Sequence, residues 1–413
     1  MNKDIFKIQK TKLEGKVKVS GAKNNALKLL TASVLTNDIV EIYNSPNLLL
    51  DMQVHIGMLN QMGKQCFEKD GYLKIQEINL IPELNWDERS IRNSLLILGC
   101  LTTRFGRGSV PLPGGCKLGD RKYDIHVMIL RELGAKVWEE EGYLFTSSKG
   151  RLKGTDLYLP IRSTGATENA ILCASLAEGK TTIWNPHIRP EIIDLIFMLN
   201  KMGAKIKVFG QKCIEVLGVN KLNGVSHTAI PDNMEALTWA IGSVVTNGEI
   251  EIENFPFEHL EVPLIYLRES GMKYFKNKNS LIVRGGTPYP IEISTGPYPG
   301  INSDMQPLFA VYSAMSKGDS KIIDLRFPGR YEYAEQLGKM GMNYEIIGDM
   351  LIIKGGNQLN GTNVTATDLR AGISLLLAGL TADGETIINN AWQIERGYEK
   401  LDQKLKSLGA KFK

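Results

Sequence analysis

At 413 residues, with 43% hydrophobic and 23% charged positions, the chain has an ordinary globular composition and enough volume for more than one core. A net charge of +4 is too mild for a nucleic-acid binder and suits a small anionic substrate. The longest apolar stretches, at 95–101 and 375–380, are too short to span a bilayer.

The start, Met1-Asn2-Lys3-Asp4-Ile5, lacks the apolar run of a signal peptide, so a cytoplasmic chain is expected. Short strands are predicted at 6–8 and 16–20. An apolar helix rich in small residues follows at 25–35, then a polar turn at Asn37 and a β-branched strand at 39–42. A second helix closes on Met58-Leu59-Asn60-Gln61-Met62-Gly63-Lys64, with Gly63 as its stop signal. The same phrase returns around Gly134, Gly203, Gly271, Gly341 and Gly409, at steps of 68–71 residues. The small-residue helix returns with it, at 91–101, 168–176, 234–245, 305–315 and 369–380, as does the short strand, at 109–110, 181–183, 249–252, 321–323 and 386–388. Six copies of one helix-and-strand unit make an α/β protein. A polar link at 218–229 and a reset at Ile230-Pro231-Asp232 divide the copies three and three. The expected lobes are 22–229 and a discontinuous 1–21 plus 230–413, the leftover N-terminal strand completing the sixth copy. A cleft between two lobes is a common setting for a small-molecule site.

The five cysteines (66, 100, 116, 173 and 213) include no Cys-x-x-Cys pair, and the five histidines show no metal-binding spacing. Neither a metal nor a cofactor is expected. Cys100 and Cys173 lie in apolar helical runs and read as core. Where the copies differ, polar residues gather at the start of the first helix: Lys23 and Asn24, Arg92, Thr167 and Glu168, Asp232, Ser303 and Asp304, Asp368 and Arg370. Ser303 and Asp368 read equally well as helix N-caps. A cation in a first helical turn opposes the helix dipole, so Lys23 and Arg92 call for a bound anion. The second copy also carries an insertion, 107–121, with glycines, prolines, basic residues and Cys116, read as a surface loop. Lys117 and Arg121 beside Cys116 would favour its thiolate or make it a ready proton donor. A long hairpin turn with an incidental cysteine explains the composition equally well.

Five motifs in order carry a resemblance: Val19-Ser20-Gly21-Ala22-Lys23-Asn24, Leu112-Pro113-Gly114-Gly115-Cys116, Ser303-Asp304-Met305-Gln306, Asp368-Leu369-Arg370 and Arg396-Gly397-Tyr398-Glu399. Together they resemble the enolpyruvyl (carboxyvinyl) transferases, in particular those acting on UDP-N-acetylglucosamine in peptidoglycan precursor synthesis. The shikimate-pathway members share the fold but lack such a cysteine loop. The resemblance implies two lobes of three βαβαββ repeats, each an inverse α/β barrel. It implies that the enolpyruvyl group of phosphoenolpyruvate passes to the sugar 3-hydroxyl through a tetrahedral adduct, with loss of phosphate. Asp304 would take the hydroxyl proton and Cys116 would be the general acid, open to alkylation by fosfomycin. Lys23, Arg121 and Arg396 would hold the phosphate, with Arg92 and Arg370 beside the carboxylate and the loop. Asn24 and Asp304 would meet the acceptor, Arg121, Lys122, Tyr123, Asp124 and Ile125 with Ser163, Thr164 and Gly165 would line the uridine pocket, and Arg326 falls on the same side.

Departures from the family pattern cluster on that acceptor side. Lys122-Tyr123 replaces Pro and an aliphatic residue, Asn233 an Arg, Arg189 a Glu, and Arg326-Phe327-Pro328-Gly329-Arg330 a small apolar residue followed by Phe-Glu-Asn-Arg. Another nucleotide or nucleotide sugar as acceptor is therefore the alternative. A non-catalytic repeat protein binding a nucleotide sugar is a third reading, which the joint presence of Lys23, Cys116, Asp304 and Arg396 argues against. No nucleic-acid or membrane partner is expected.

Overall fold

A computed structural model describes residues 4–89, 91–112 and 123–413. The chain divides into two compact units: Gly21–Ile230, and Met1–Ser20 with Pro231–Lys413. We call them the Lys23 unit and the Asp304 unit. Both are α/β, each has its own apolar core, and each contains three sheets among the described residues.

The cores are built on helices with almost no solvent face. In the Asp304 unit, every residue of Asn233–Val245, Gln306–Ala314 and Leu369–Gly379 is buried. Gln306–Ala314 packs against both of the others. Such helices must be apolar all round, and their glycines, alanines and serines allow close approach. In the Lys23 unit the corresponding helices are Lys23–Ala32, Ser94–Phe105 and Thr164–Ser175, the last two packed together with Cys100 and Cys173 fully buried. The outer helices show the opposite pattern. In Glu332–Lys339 only Tyr333, Ala334, Gln336 and Leu337 are buried, the single stripe of a helix that lies on a core.

The sheets share a plan. Lys205–Phe209 and Cys213–Leu217 form a hairpin, Lys180–Trp184 pairs antiparallel with its second strand, and Asp156–Tyr158 adds a parallel edge. Glu292–Ser294, Ser320–Ile323, Tyr344–Ile347 and Met350–Ile353 repeat it. Two sheets take the parallel edge from far along the chain: Val225–Thr228 pairs with Val40–Ser45, and Glu14–Lys18 with Glu249–Glu253. Ile5–Gln9 lies between Glu385–Asn389 and Lys411–Phe412, antiparallel to both, and so fills the hairpin position of that sheet. The remaining sheet has three strands, Arg107–Pro111, Tyr143–Ser147 and Lys136–Glu140, and a single parallel bridge from Glu83 to Ser109. Residues 108–110 are thus buried strand rather than the beginning of a surface loop.

The repeated phrase has a backbone explanation. All six of its glycines have positive φ, between +79° and +104°, where the helix stops and the chain turns into a strand. Their surroundings differ. A Cβ at Gly63 would lie 2.0 Å from the Asn79 carbonyl oxygen, whereas one at Gly134 would meet nothing within 4 Å. Gly134→Ala should therefore carry only the backbone strain, roughly 1–2 kcal/mol. Gly63→Ala should lower the thermal midpoint at least twice as far, because the carbonyl must also move. Equal midpoints for the two variants would contradict this assignment.

Candidate functional site

In the Asp304 unit, Asp304 sits just before the buried helix Gln306–Ala314, its side chain 35% exposed. Both of its oxygens are engaged: Arg330 Nη1 donates to Oδ1 at 3.0 Å and Arg370 Nε to Oδ2 at 3.3 Å. Arg330 Nη2 also donates to Asp368 Oδ2 at 3.1 Å, and Nη1 reaches Ser303 Oγ at 3.1 Å. Asp368 is the N-cap of Leu369–Gly379, its Oδ1 accepting from the Arg370 and Ala371 amides at 2.7 and 2.8 Å. Burial would lower the Arg370 guanidinium, but the Asp304 carboxylate and other neighbours outweigh it and raise the group. The same contest, settled by Asp304 and Asp368, raises Arg330. A cation in the first turn of a buried helix is thus offset by a carboxylate from the neighbouring segment.

Ser303 does not cap its helix. Its hydroxyl donates to the buried carboxylate of Asp324, and Met305 occupies the cap position. Of the two arginines in the 326–330 turn, Arg326 is exposed with its guanidinium 5.3 Å from the Phe327 ring, and Arg330 joins Asp304. Sequence reasoning named Arg326 and not Arg330, because composition does not tell which way a turn faces. Arg396 follows the short helix Trp392–Glu395 and donates to Gln393 Oε1 at 3.0 Å. Tyr398, two residues on, is buried and shares a 2.8 Å hydrogen bond with Thr238. Asn233 is the first residue of its helix, capped by Asp232.

In the Lys23 unit, Lys23 opens its helix and is buried, its ammonium 2.6 Å from Asp51. The dipole argument called for an anion there, and this unit's own Asp51 supplies one. Asn24 is the next residue, half-buried. Arg92 lies two residues before Ser94–Phe105, so it is not in the first turn, and burial pulls its pKa down. Its charge reaches His126, which burial first, then Arg92 and Lys28, push down to about 3. A Cβ on Gly165 would lie 3.5 Å from the same imidazole. Arg92, His126 and Gly165 are therefore neighbours. Ser163 caps Thr164–Ser175, and Thr164 Oγ1 shares a 2.9 Å hydrogen bond with His187 Nδ1. Tyr123 donates to Glu139 Oε1 at 2.5 Å, Asp124 begins an outer helix on its exposed side, and Ile125 packs against the core. Cys116, Lys117, Arg121 and Lys122 lie outside the described residues. Sequence reasoning missed His126 and His187, whose only signal was their rarity.

The Lys23 unit also buries a polar group of which the sequence singled out only Glu168. Lys28 donates to Asn93 at 2.8 Å and stands 3.7 Å from Glu168, whose Oε2 makes no hydrogen bond among the described residues. Asn93 also donates to His55 Nδ1 at 3.4 Å. Arg189, at the N-cap position of Pro190–Lys201, pairs with Glu191 at 2.7 Å. Burial pushes the Glu168 carboxyl up to about 7, against the pull of Lys28 and Arg189. The unfolded chain releases that proton near 4.5 and the folded chain holds it to about 7, so this group costs stability as pH rises through that window. At pH 8 the cost is about 3 kcal/mol. Glu168→Gln should therefore gain stability relative to the parent between pH 5 and pH 8 in denaturant titrations. A parent–variant difference that stays constant with pH would refute the assignment.

Comparison with known proteins places these features in a family. A family model of EPSP synthase (3-phosphoshikimate 1-carboxyvinyltransferase) matches residues 8–405. UDP-N-acetylglucosamine 1-carboxyvinyltransferase 2 of Carboxydothermus hydrogenoformans is 41% identical over 407 residues, 97% of each chain. UDP-N-acetylglucosamine 1-carboxyvinyltransferase 1 of Caldanaerobacter subterraneus subsp. tengcongensis is 39% identical over 412 residues, 99% of each. In fold, the chain matches the enolpyruvyl transferase NikO from Streptomyces tendae with a TM-score of 0.90 at 22% identity, over 99% of this chain and 98% of that one. It matches EPSP synthase from Acinetobacter baumannii at 0.76 and 18%, over the whole of both. The chain belongs to the enolpyruvyl (carboxyvinyl) transferase family, and within it to the UDP-N-acetylglucosamine 1-carboxyvinyltransferases.

Proposed function

We propose that the chain transfers the enolpyruvyl group of phosphoenolpyruvate to the 3-hydroxyl of UDP-N-acetylglucosamine, releasing phosphate, as a step in peptidoglycan precursor synthesis. The observation that carries this reading is full-length identity of about 40% to enzymes of that name. The Asp304 cluster adds chemical support, as a partly exposed carboxylate oriented at both oxygens by guanidinium groups. The finer architecture we propose is six βαβαββ repeats, three to each lobe, arranged as inverse α/β barrels. We place the protein in the cytoplasm, where its substrates are made.

In this reading the sugar hydroxyl gives its proton to Asp304 as its oxygen attacks the central carbon of phosphoenolpyruvate. Cys116 protonates the methylene carbon, so the double bond becomes a methyl group and a tetrahedral adduct forms. Loss of a proton from that methyl group and of inorganic phosphate then gives the enol ether. Lys23, Arg121 and Arg396 hold the phosphate, while Arg92 and Arg370 meet the carboxylate, concentrating cations on a small dense anion. Asn24, the Tyr123–Ile125 stretch and Ser163–Gly165 serve the acceptor. Asp51 fixes the Lys23 ammonium in place.

Phosphate release with phosphoenolpyruvate should depend on UDP-N-acetylglucosamine. Release only with another UDP-sugar or nucleotide would transfer the proposal to that acceptor, and the differences at Lys122, Arg189, Asn233, Arg326, Pro328 and Gly329 would be the place to look. Cys116→Ser and Asp304→Asn should each lower kcat, measured per folded molecule, by roughly 10²–10⁴-fold. Normal turnover in both variants would remove this acid–base assignment. Fosfomycin should alkylate Cys116 in the liganded protein, detectable by peptide mass, and an unmodified Cys116 would count against its role as the acid.

A further inference from the structure

Asp324 is fully buried and forms no ion pair among the described residues. Five donors satisfy it instead. The Thr295 hydroxyl and the amides of Arg326 and Phe327 donate to Oδ1 at 2.7, 2.9 and 3.0 Å, and the side chains of Ser303 and Gln306 donate to Oδ2. These donors come from three stretches of chain: the end of Glu292–Ser294, the segment leading into Gln306–Ala314, and the turn after Ser320–Ile323. A buried carboxylate held by several donors is expensive to rearrange, so it fixes its donors relative to one another. Two of the three stretches carry the reactive cluster. Ser303 adjoins Asp304 in sequence and accepts from Arg330, and the 326–327 amides set the course of the turn that ends at Arg330.

We infer that Asp324 is a positioning residue for the reaction, locking the Ser303-Asp304 segment and the Arg330 turn in the register that lets Arg330 bridge Asp304 and Asp368. It acts through Ser303 and the turn backbone and need not touch substrate. The inference rests on the role proposed for Asp304. The groups facing the network are Arg330, Arg370, Asp304 and Asp368, with Tyr331, whose hydroxyl accepts from the Asp324 amide at 3.0 Å, and Tyr333, which donates to Gln306 at 3.1 Å.

The test compares the parent with Asp324→Asn, which keeps the shape but cannot accept all five bonds, and with Ser303→Ala, which removes one link and leaves Asp324 four donors. In folded variants kcat should fall at least tenfold for Asp324→Asn and severalfold for Ser303→Ala. The KM for phosphoenolpyruvate should stay within about threefold, and the acidic limb of the kcat–pH profile should move. The Asp304 carboxyl, followed by carbon-13 NMR, should titrate at least half a pH unit away from its parent value. An unchanged Asp304 titration in either folded variant would overturn the inference, as would a loss of kcat no larger than the loss of folded protein. A parent that never releases phosphate would instead overturn the proposed function, and the titration would still decide the role of Asp324.

Discussion

A helix buried on every face has little room for charge except near its ends. Asn233–Val245, Gln306–Ala314 and Leu369–Gly379 are enclosed along their whole length, and in the Lys23 unit most of Ser94–Phe105 and Thr164–Ser175 is enclosed as well. Mid-helix charge would face apolar neighbours on all sides. Lys23, Arg92, Asp304, Asp368 and Arg370 stand instead at or just before the first turn, where the chain leaves the core and amides are unsatisfied. The same constraint that requires small apolar residues inside these helices directs chemistry to their N-terminal ends.

Those ends suit anions but not cations, and the arrangement of charge follows from that. Lys23 and Arg370 oppose the dipoles of their own helices, and each is met by a carboxylate from another segment, Asp51 for Lys23 and Asp304 for Arg370. Arg330 ties Asp304 to Asp368, so one guanidinium connects the approach to one buried helix with the cap of the next. A group of alternating charges is costly to break singly and retains a definite geometry. For acid–base chemistry such fixed geometry contributes more than the number of charges.

Lys28, Asn93, His55 and Glu168 show the constraint at its limit. Asn93 is an N-cap residue, but Lys28, His55 and Glu168 lie beyond the first turns of their helices, and the consequence is visible in ionisation: Glu168 is raised to about 7 and His55 is driven down to about 3 by burial. The Lys23 unit holds other polar pairs besides, among them the buried Lys64 with Glu77 at 3.0 Å and the buried His227 with Asp194 at 3.0 Å.

Much of the architecture was legible from residue pattern because it depends on local physics. Apolar helices rich in small residues, glycine stops and β-branched strands recur every 68–71 residues, and each element forms close to where its composition places it. Lys23, Asp304, Asp368 and Arg370 were legible as departures from that repeat. Other facts depend on contacts between residues far apart in sequence, which no local pattern encodes. Pairing of Val225–Thr228 with Val40–Ser45, insertion of Ile5–Gln9 beside Lys411–Phe412, Asp51 as the partner of Lys23, and Arg330 rather than Arg326 beside Asp304 are all of this kind. Sequence alone determined the repeating unit and the residues that break it, since propensity, capping and periodicity act within a few residues. Tertiary structure decided which of those residues face one another, since ion pairs and buried hydrogen bonds form only after distant segments have packed.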